Sequence, residues 1–272
     1  MREWKGSVAF ITGGGQGIGL GIARSLAKRG VRLALTDINE AALTSGKEEL
    51  SRLTDVEIFR LDVRDRTGYA SIADRAESKL GPVDLLFNNA GIAPSSSVPT
   101  LNYEKWDLTL DINLHGVVNG LQTFLPRMIE RGEGGYVVNT ASGAGLVAGP
   151  NVLYTTSKFA VVGLSESLKL AVSEYGIDVS VLCPAYVDTN ILENTKSVGA
   201  GQSIALPEDV REETEAYFKS GVNIDDVGEM VVAGMEARAT WIYTDGFIRR
   251  FLEMRMNSLL ESVPAPAPEE VA

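Results

Sequence analysis

A phenol and an ammonium four positions apart, in the run Tyr154-Thr-Thr-Ser-Lys158, are the side chains of this 272-residue chain best suited to move a proton. On a helix, positions i and i+4 share one face. A free phenol has a pKa of about 10 and is a poor base at neutral pH; a neighbouring cation favours the phenolate and lowers that value. The pair can then exchange a proton with an alcohol or a carbonyl compound. Tyr and Lys at this spacing also occur on ordinary helix surfaces, so the pair acquires meaning only from its surroundings. Ser142 ends an apolar run of strand length twelve positions upstream, and a hydroxyl at the C-terminal end of a parallel strand faces the ligand crevice. Asn113, in Leu110-Asp-Ile-Asn-Leu-His-Gly116, falls within an expected long helix. An asparagine there is unfavourable unless its amide bonds a water or a backbone group.

A second constellation lies near the N-terminus. Thr12-Gly-Gly-Gly-Gln-Gly-Ile-Gly19 sits where a short apolar strand turns into a helix, with glycines spaced G-x-x-x-G-x-G at Gly13, Gly17 and Gly19. A dinucleotide pyrophosphate needs backbone N–H groups and a helix N-terminus brought close, and glycine leaves room for that approach. Gly15, Gln16 and Ile18 belong to the same cradle. Asp37 ends the second strand, where a carboxylate can bond the adenosine ribose hydroxyls and repel a 2′-phosphate. Gln16 is neutral and no Arg or Lys follows Asp37 immediately, so the expected cofactor is NAD rather than NADP. Asp62, followed by Val63, ends the third strand and is placed either to meet the adenine ring or to cap the next helix.

These residues need a frame that gathers them at one edge. Apolar runs at Ser7–Thr12, Val31–Thr36, Val56–Leu61, Val83–Phe87, Gly135–Thr140, Val179–Leu182 and Thr240–Thr244 read as strands. Helical stretches such as Gly17–Arg29, Glu40–Leu53 and Asn223–Arg238 stand between them. Alternating strands and helices imply an α/β fold with a parallel sheet wound through right-handed crossovers. Near-continuous apolar strands fit a sheet covered on both faces. The segment 185–222 breaks this rhythm with an acidic helix expected near Pro207–Lys219, and reads as a lid over the substrate. The tail, 263–272, is rich in Pro, Ala and Glu and reads as disordered.

Bulk composition narrows the partners. Hydrophobic residues make up 44% and charged residues 22%, and the formal net charge is −11 with a pI near 4.7. An acidic surface repels phosphate backbones and anionic lipids, so neither nucleic acid nor membrane is expected as a partner. One cysteine, Cys183, and one histidine, His115, cannot form an intrachain disulfide or an ordinary zinc site, and no metal is expected. His115 reads as a packing or interface residue. A charged start without a long apolar stretch gives the expectation of a cytoplasmic protein.

Taken together, Thr12–Gly19, Asn88-Asn-Ala-Gly91, Asn113, Ser142 and Tyr154–Lys158 resemble the short-chain dehydrogenase/reductase family, over about residues 5 to 190. The resemblance implies one Rossmann-type, doubly wound domain over 1–262 with about seven parallel strands. It implies an oxidoreductase moving a hydride between NAD(H) and a secondary alcohol or ketone. Tyr154 would be the general acid/base, Lys158 would lower its pKa and hold the nicotinamide ribose, Ser142 would orient the substrate oxygen, and Asn113 would anchor a water in a proton relay. Asn89 and Ala90 would line the adenosine side, Thr189 would meet the nicotinamide carboxamide with Val187 adding a backbone contact, and Gly91 and Pro184 would also belong to the cofactor site. Two features depart from the pattern: Pro184-Ala185 stands where the family has Pro-Gly, and Tyr243–Arg250 lacks the glycine-rich ending. A homodimer or homotetramer is expected, with the long helices Asn113–Arg131 and Asn151–Tyr175 as the dimer contact.

The substrate pocket is expected to draw on Pro94, Ser142, Val147, Asn151, Tyr186, Ile191 and Leu192, with Ile204, Leu206, Tyr217 and Phe218 from the lid. Such a wall suits a bulky apolar or aromatic secondary alcohol. A 3-ketoacyl-thioester reductase, which would prefer NADPH, and a catalytically silent dinucleotide-binding regulator are the rival readings.

Overall fold

The computed structural model describes residues 4–198 and 220–264. The expected helix near Pro207–Lys219, the lid residues Ile204, Leu206, Tyr217 and Phe218, and most of the C-terminal tail lie outside the described residues. Seven strands form one parallel sheet: β1 (Val8–Thr12), β2 (Arg32–Asp37), β3 (Val56–Arg60), β4 (Leu85–Asn88), β5 (Gly135–Thr140), β6 (Ile177–Cys183) and β7 (Trp241–Tyr243). Their order is β3-β2-β1-β4-β5-β6-β7. The chain therefore reverses its direction of travel between β1 and β4, and in open parallel sheets that switch point is where ligands bind.

All five residues of β1 are buried, because alternate side chains enter opposite cores. Val8 and Phe10 join one cluster, packed with Tyr69 and Phe124, whereas Ala9 and Ile11 join the other, with Ile22 and Leu26. The first face is covered by α3 (Arg66–Leu80), α5 (Gly116–Arg131) and α6 (Val152–Val172). The second is covered by α1 (Gly17–Ala27), α2 (Glu40–Leu50) and α8 (Ile224–Glu236). α4 (Tyr103–Leu110), α7 (Ile191–Ser197) and α9 (Arg249–Ser262) complete the helices among the described residues.

Element types agree with the sequence reading, and the differences are local. The expected single helix from Asn113 is instead continuous with α4 through a π-helical turn, Asp111–His115, so Asn113 occupies the widened turn rather than a regular helix. α6 stops at Val172, and Ser173–Tyr175 finish as a 3-10 turn. His115 pairs with Asp111 at 2.9 Å on the surface. No helix among the described residues is long and apolar enough to cross a membrane.

Candidate active site

One cavity of about 440 Å³ runs along the C-terminal ends of the strands, and it collects most of the residues singled out above. Its first part is the turn from β1 into α1. Gly17 adopts φ +54°, a left-handed conformation suited to glycine. A Cβ on Gly19 would stand 2.1 Å from the Gly13 carbonyl oxygen, so only glycine lets helix and turn close together there. α2, α3, α4, α6 and α8 each begin with an Asn or Asp side chain capping a backbone N–H. By contrast, α1 has no side-chain cap at Gln16 and no acidic residue in its first turn. Its first N–H groups are therefore left for an anion, the arrangement that binds a pyrophosphate. Gly13, Gln16, Gly17 and Ile18 line the cavity. Gly15 and Gly19 do not: the Gly15 N–H donates to Asp37 Oδ2 at 3.3 Å, and Gly19 serves the close packing just described. Both were expected among the cofactor-binding residues; within the protein they shape the turn.

Asp37, 8% exposed, lines the cavity at the end of β2. Its Oδ1 accepts the Asn39 N–H at 3.0 Å. Burial holds its carboxyl above the usual aspartate range, against the backbone N–H bonds that pull it down. Asp62 and Val63 line the same end. α3 is capped by Asp65 rather than Asp62; Asp62 binds Arg64 with contacts down to 2.6 Å, which holds its carboxyl below the usual range. Arg64 also lines the cavity. It was missed because it lies well beyond Asp37 in sequence, and only the pairing of β2 with β3 brings the ends of those strands to the same part of the cavity. Across the sheet switch, Asn89 ties the two turns: its Nδ2 donates to the Thr12 and Gly13 carbonyls at 3.1 and 3.3 Å, while Ala90 N–H reaches Thr12 Oγ1 at 3.1 Å. Asn89, Ala90 and Gly91 all line the cavity, as do Pro184, Val187 and Thr189.

The second part of the cavity holds Ser142, Tyr154 and Lys158. Asn151 caps α6 by accepting the Tyr154 N–H at 3.2 Å, which sets the phenol on the first turn of the helix. Ser142 follows β5, accepts the Ala144 N–H at 3.1 Å, and its hydroxyl lies on the phenol's side of the cavity, near enough to lower the Tyr154 pKa. Lys158, 4% exposed, donates to the Thr140 carbonyl at 3.1 Å and sits 5.6 Å from the centre of the Tyr154 ring. Here the electrostatics differ from the sequence expectation. Burial pushes the Tyr154 phenol above its ordinary value, opposed by the Ser142 hydroxyl, and pulls the Lys158 ammonium down to about 8. The two groups are desolvated together, and desolvation disfavours the charged form of each.

Asn113 does not line the cavity. It is 1% exposed, and its amide is engaged by the protein: Oδ1 accepts the Ile92 N–H at 2.9 Å, and Nδ2 donates to the Ile92 carbonyl at 2.9 Å and to Ser157 Oγ at 3.1 Å. The side chain clamps the loop after β4 onto α6. Among the residues expected in the substrate pocket, Tyr186 and Ile191 line the cavity with Ser142, whereas Pro94, Val147, Asn151 and Leu192 do not. Asn151 is turned to the helix cap and to the Pro94 carbonyl, 2.8 Å away. Sequence reasoning missed Phe247 and Ile248, which enter from the turn between β7 and α9. Ile248 Cδ1 lies 3.3 Å from where a Cβ on Gly143 would stand, beside Ser142. Phe247 packs against Tyr186 with ring centres 6.2 Å apart. The atypical Tyr243–Arg250 ending was the only hint of this.

Comparison with known proteins accords with the geometry. The short chain dehydrogenase profile matches residues 7–198. A "C alpha-dehydrogenase" of Sphingobium sp. SYK-6 is 31% identical over 273 residues, covering 97% of this chain and 88% of that protein. The "3beta-hydroxysteroid dehydrogenase 2" of Eggerthella lenta is 36% identical over 189 residues, covering 68% and 73%. A short chain dehydrogenase/reductase of Burkholderia phymatum, solved in complex with NAD, superposes with a TM-score of 0.89 at 31% identity, covering 98% of this chain and 99% of that one. The chain belongs to the short-chain dehydrogenase/reductase family and is an oxidoreductase acting on CH–OH groups.

Proposed function

We propose that this protein transfers a hydride between NAD(H) and a bulky apolar or aromatic secondary alcohol or its ketone, with Tyr154 as the general acid/base. The observation that carries this reading is the single cavity shared by the uncapped N-terminus of α1, Asp37, and the group Ser142, Tyr154 and Lys158. The N–H groups at the start of α1 would hold the pyrophosphate, Asp37 the adenosine ribose, and Lys158 the nicotinamide ribose. When bound, NAD(H) supplies the hydride acceptor or donor.

The protein's own part is to hold the substrate oxygen and move its proton. Ser142 and Tyr154 present two hydroxyls to that oxygen. With its pKa raised by burial, Tyr154 carries its proton at neutral pH and can donate it to a carbonyl oxygen during reduction. For oxidation it must first lose that proton, and the Lys158 cation nearby favours the phenolate. Tyr186, Ile191, Val198, Phe247 and Ile248 make the substrate end of the cavity apolar, which suits a ring system better than a sugar. The relative named for a 3β-hydroxysteroid, a rigid alicyclic secondary alcohol, supports that choice.

The test is a panel of alicyclic, aryl and straight-chain secondary alcohols with NAD+ and NADP+, followed by the absorbance of reduced nicotinamide. Bulky cyclic alcohols with NAD+ should be turned over best. Tyr154→Phe should lose about 10²- to 10⁴-fold in kcat while still binding NADH. No turnover across the panel, or a Tyr154→Phe protein retaining more than about a tenth of kcat, would refute the reading.

A further inference from the structure

Three consecutive residues after β4 are each gripped by a side chain from a different element. Asn113, in the π turn, takes both main-chain groups of Ile92. Thr195, on α7, accepts the Ala93 N–H at 2.9 Å. Asn151, the cap of α6, donates to the Pro94 carbonyl at 2.8 Å and at the same time accepts the Tyr154 N–H. A short path of hydrogen bonds and main chain thus runs from α7 through Ala93 and Pro94 to the first turn of the tyrosine helix.

Thr195 is the unexplained member of this set. It is fully buried, and its hydroxyl also donates to the Ile191 carbonyl at 2.7 Å. Valine would fill the same volume without a hydroxyl to satisfy, so the polar atom is retained for its bonds. α7 has only seven residues, too few to hold a helix by itself, and its position must come from tertiary contacts. Among the described residues, the other side-chain hydrogen bonds of α7 stay within the helix. Yet α7 contributes Ile191, Asn194 and Ser197 to the cavity wall, with Val198 just beyond it.

We propose that Thr195 is a positioning residue: its bond to Ala93 seats α7 as the substrate wall and, through Pro94 and Asn151, fixes that wall relative to Tyr154. The kinetic part of this proposal rests on the alcohol dehydrogenase reading above; the tie itself does not. In Thr195→Val the part-buried Ala93 N–H, beside the cavity, loses its acceptor. The expected result is a fall in kcat/KM for a bulky secondary alcohol of roughly 10- to 100-fold. NADH affinity, and kcat/KM for 2-propanol, which is too small to span to α7, should be little changed. Thr195→Ser keeps the oxygen and should restore most of the loss. Amide hydrogen exchange gives a readout independent of turnover: the Ala93 amide loses protection in Thr195→Val and keeps it in Thr195→Ser, while Ile92, held by Asn113, stays protected in both.

The proposal is overturned if Ala93 protection is unchanged in Thr195→Val, or if the serine variant loses as much activity as the valine variant. It is also overturned if 2-propanol turnover and NADH binding fall in step with the bulky substrate, since that marks general damage to the fold. A wild-type protein inactive on every alcohol refutes the functional reading instead, and the exchange arm then still decides whether Thr195 seats α7.

Discussion

Removing the charge of Asp37 tests the dinucleotide end of the site, and the size of the effect can be worked out. Asp37 ends β2 and is 8% exposed, with Oδ2 on the Gly15 N–H at 3.3 Å and Oδ1 on the Asn39 N–H at 3.0 Å. Those bonds aim the carboxylate at the mouth of the glycine turn. Ribose hydroxyls donating to a charged acceptor contribute about 1.5–3 kcal/mol. A 2′-phosphate carries a charge of about −1.5 to −2. Held about 4 Å from the carboxylate at an effective dielectric near 20, each pair of unit charges costs about 4 kcal/mol, or roughly a thousandfold in affinity. Asp37→Ser keeps a short acceptor for one N–H and deletes the charge. Its kcat/KM with NAD+ should fall about 10- to 100-fold, while that with NADP+ rises, so their ratio moves by at least about a thousandfold. Initial rates with both cofactors on one alcohol measure the ratio, in which any general loss of folded enzyme cancels. Added salt should shrink the change, because screening weakens the repulsion being removed. Acidification should weaken discrimination in the wild type sooner than an ordinary aspartate would allow, because burial raises the Asp37 pKa. An unaltered NAD+/NADP+ ratio in Asp37→Ser would show that the carboxylate does not meet the ribose, and the assignment would fall.

Two further outcomes follow from buried groups. Lys158 has a folded pKa of about 8 against an ordinary 10.5, so between those values the unfolded chain binds more protons and stability rises with pH. Lys158→Met should therefore be more stable than wild type below pH 8, by up to roughly 3 kcal/mol, with the advantage shrinking toward pH 10. Urea unfolding of both proteins from pH 7 to 10 reads it, and a difference that does not vary with pH contradicts the burial argument. Asn113→Ala strips the bonds to both Ile92 groups and to Ser157 and should cost about 2–4 kcal/mol in the same assay. A loss below about 0.5 kcal/mol would mean the clamp contributes little beyond a surface contact.

Much of the frame was legible because it depends on local pattern. Strand β1 reads as a strand from its unbroken apolar run, and the glycine turn reads as a phosphate cradle because only glycine tolerates that turn. The Tyr154–Lys158 spacing places both groups on one side of α6 whatever else the chain does. What the linear pattern does not contain is how far each group is desolvated and what it meets across the fold. The Tyr154 phenol rises and the Lys158 ammonium falls because the fold around the cavity desolvates both groups. Asn113 spends its amide on Ile92 and Ser157, Asn151 turns to the cap of α6 and to Pro94, and Arg64 arrives beside Asp37's end of the cavity through the pairing of β2 with β3. Phe247 and Ile248 reach Tyr186 and Gly143 from the far end of the chain. Periodicity and turn chemistry act over a few residues and are written in the sequence itself. Desolvation and long-range hydrogen bonds depend on which distant segments are brought together, and only the folded arrangement decides that.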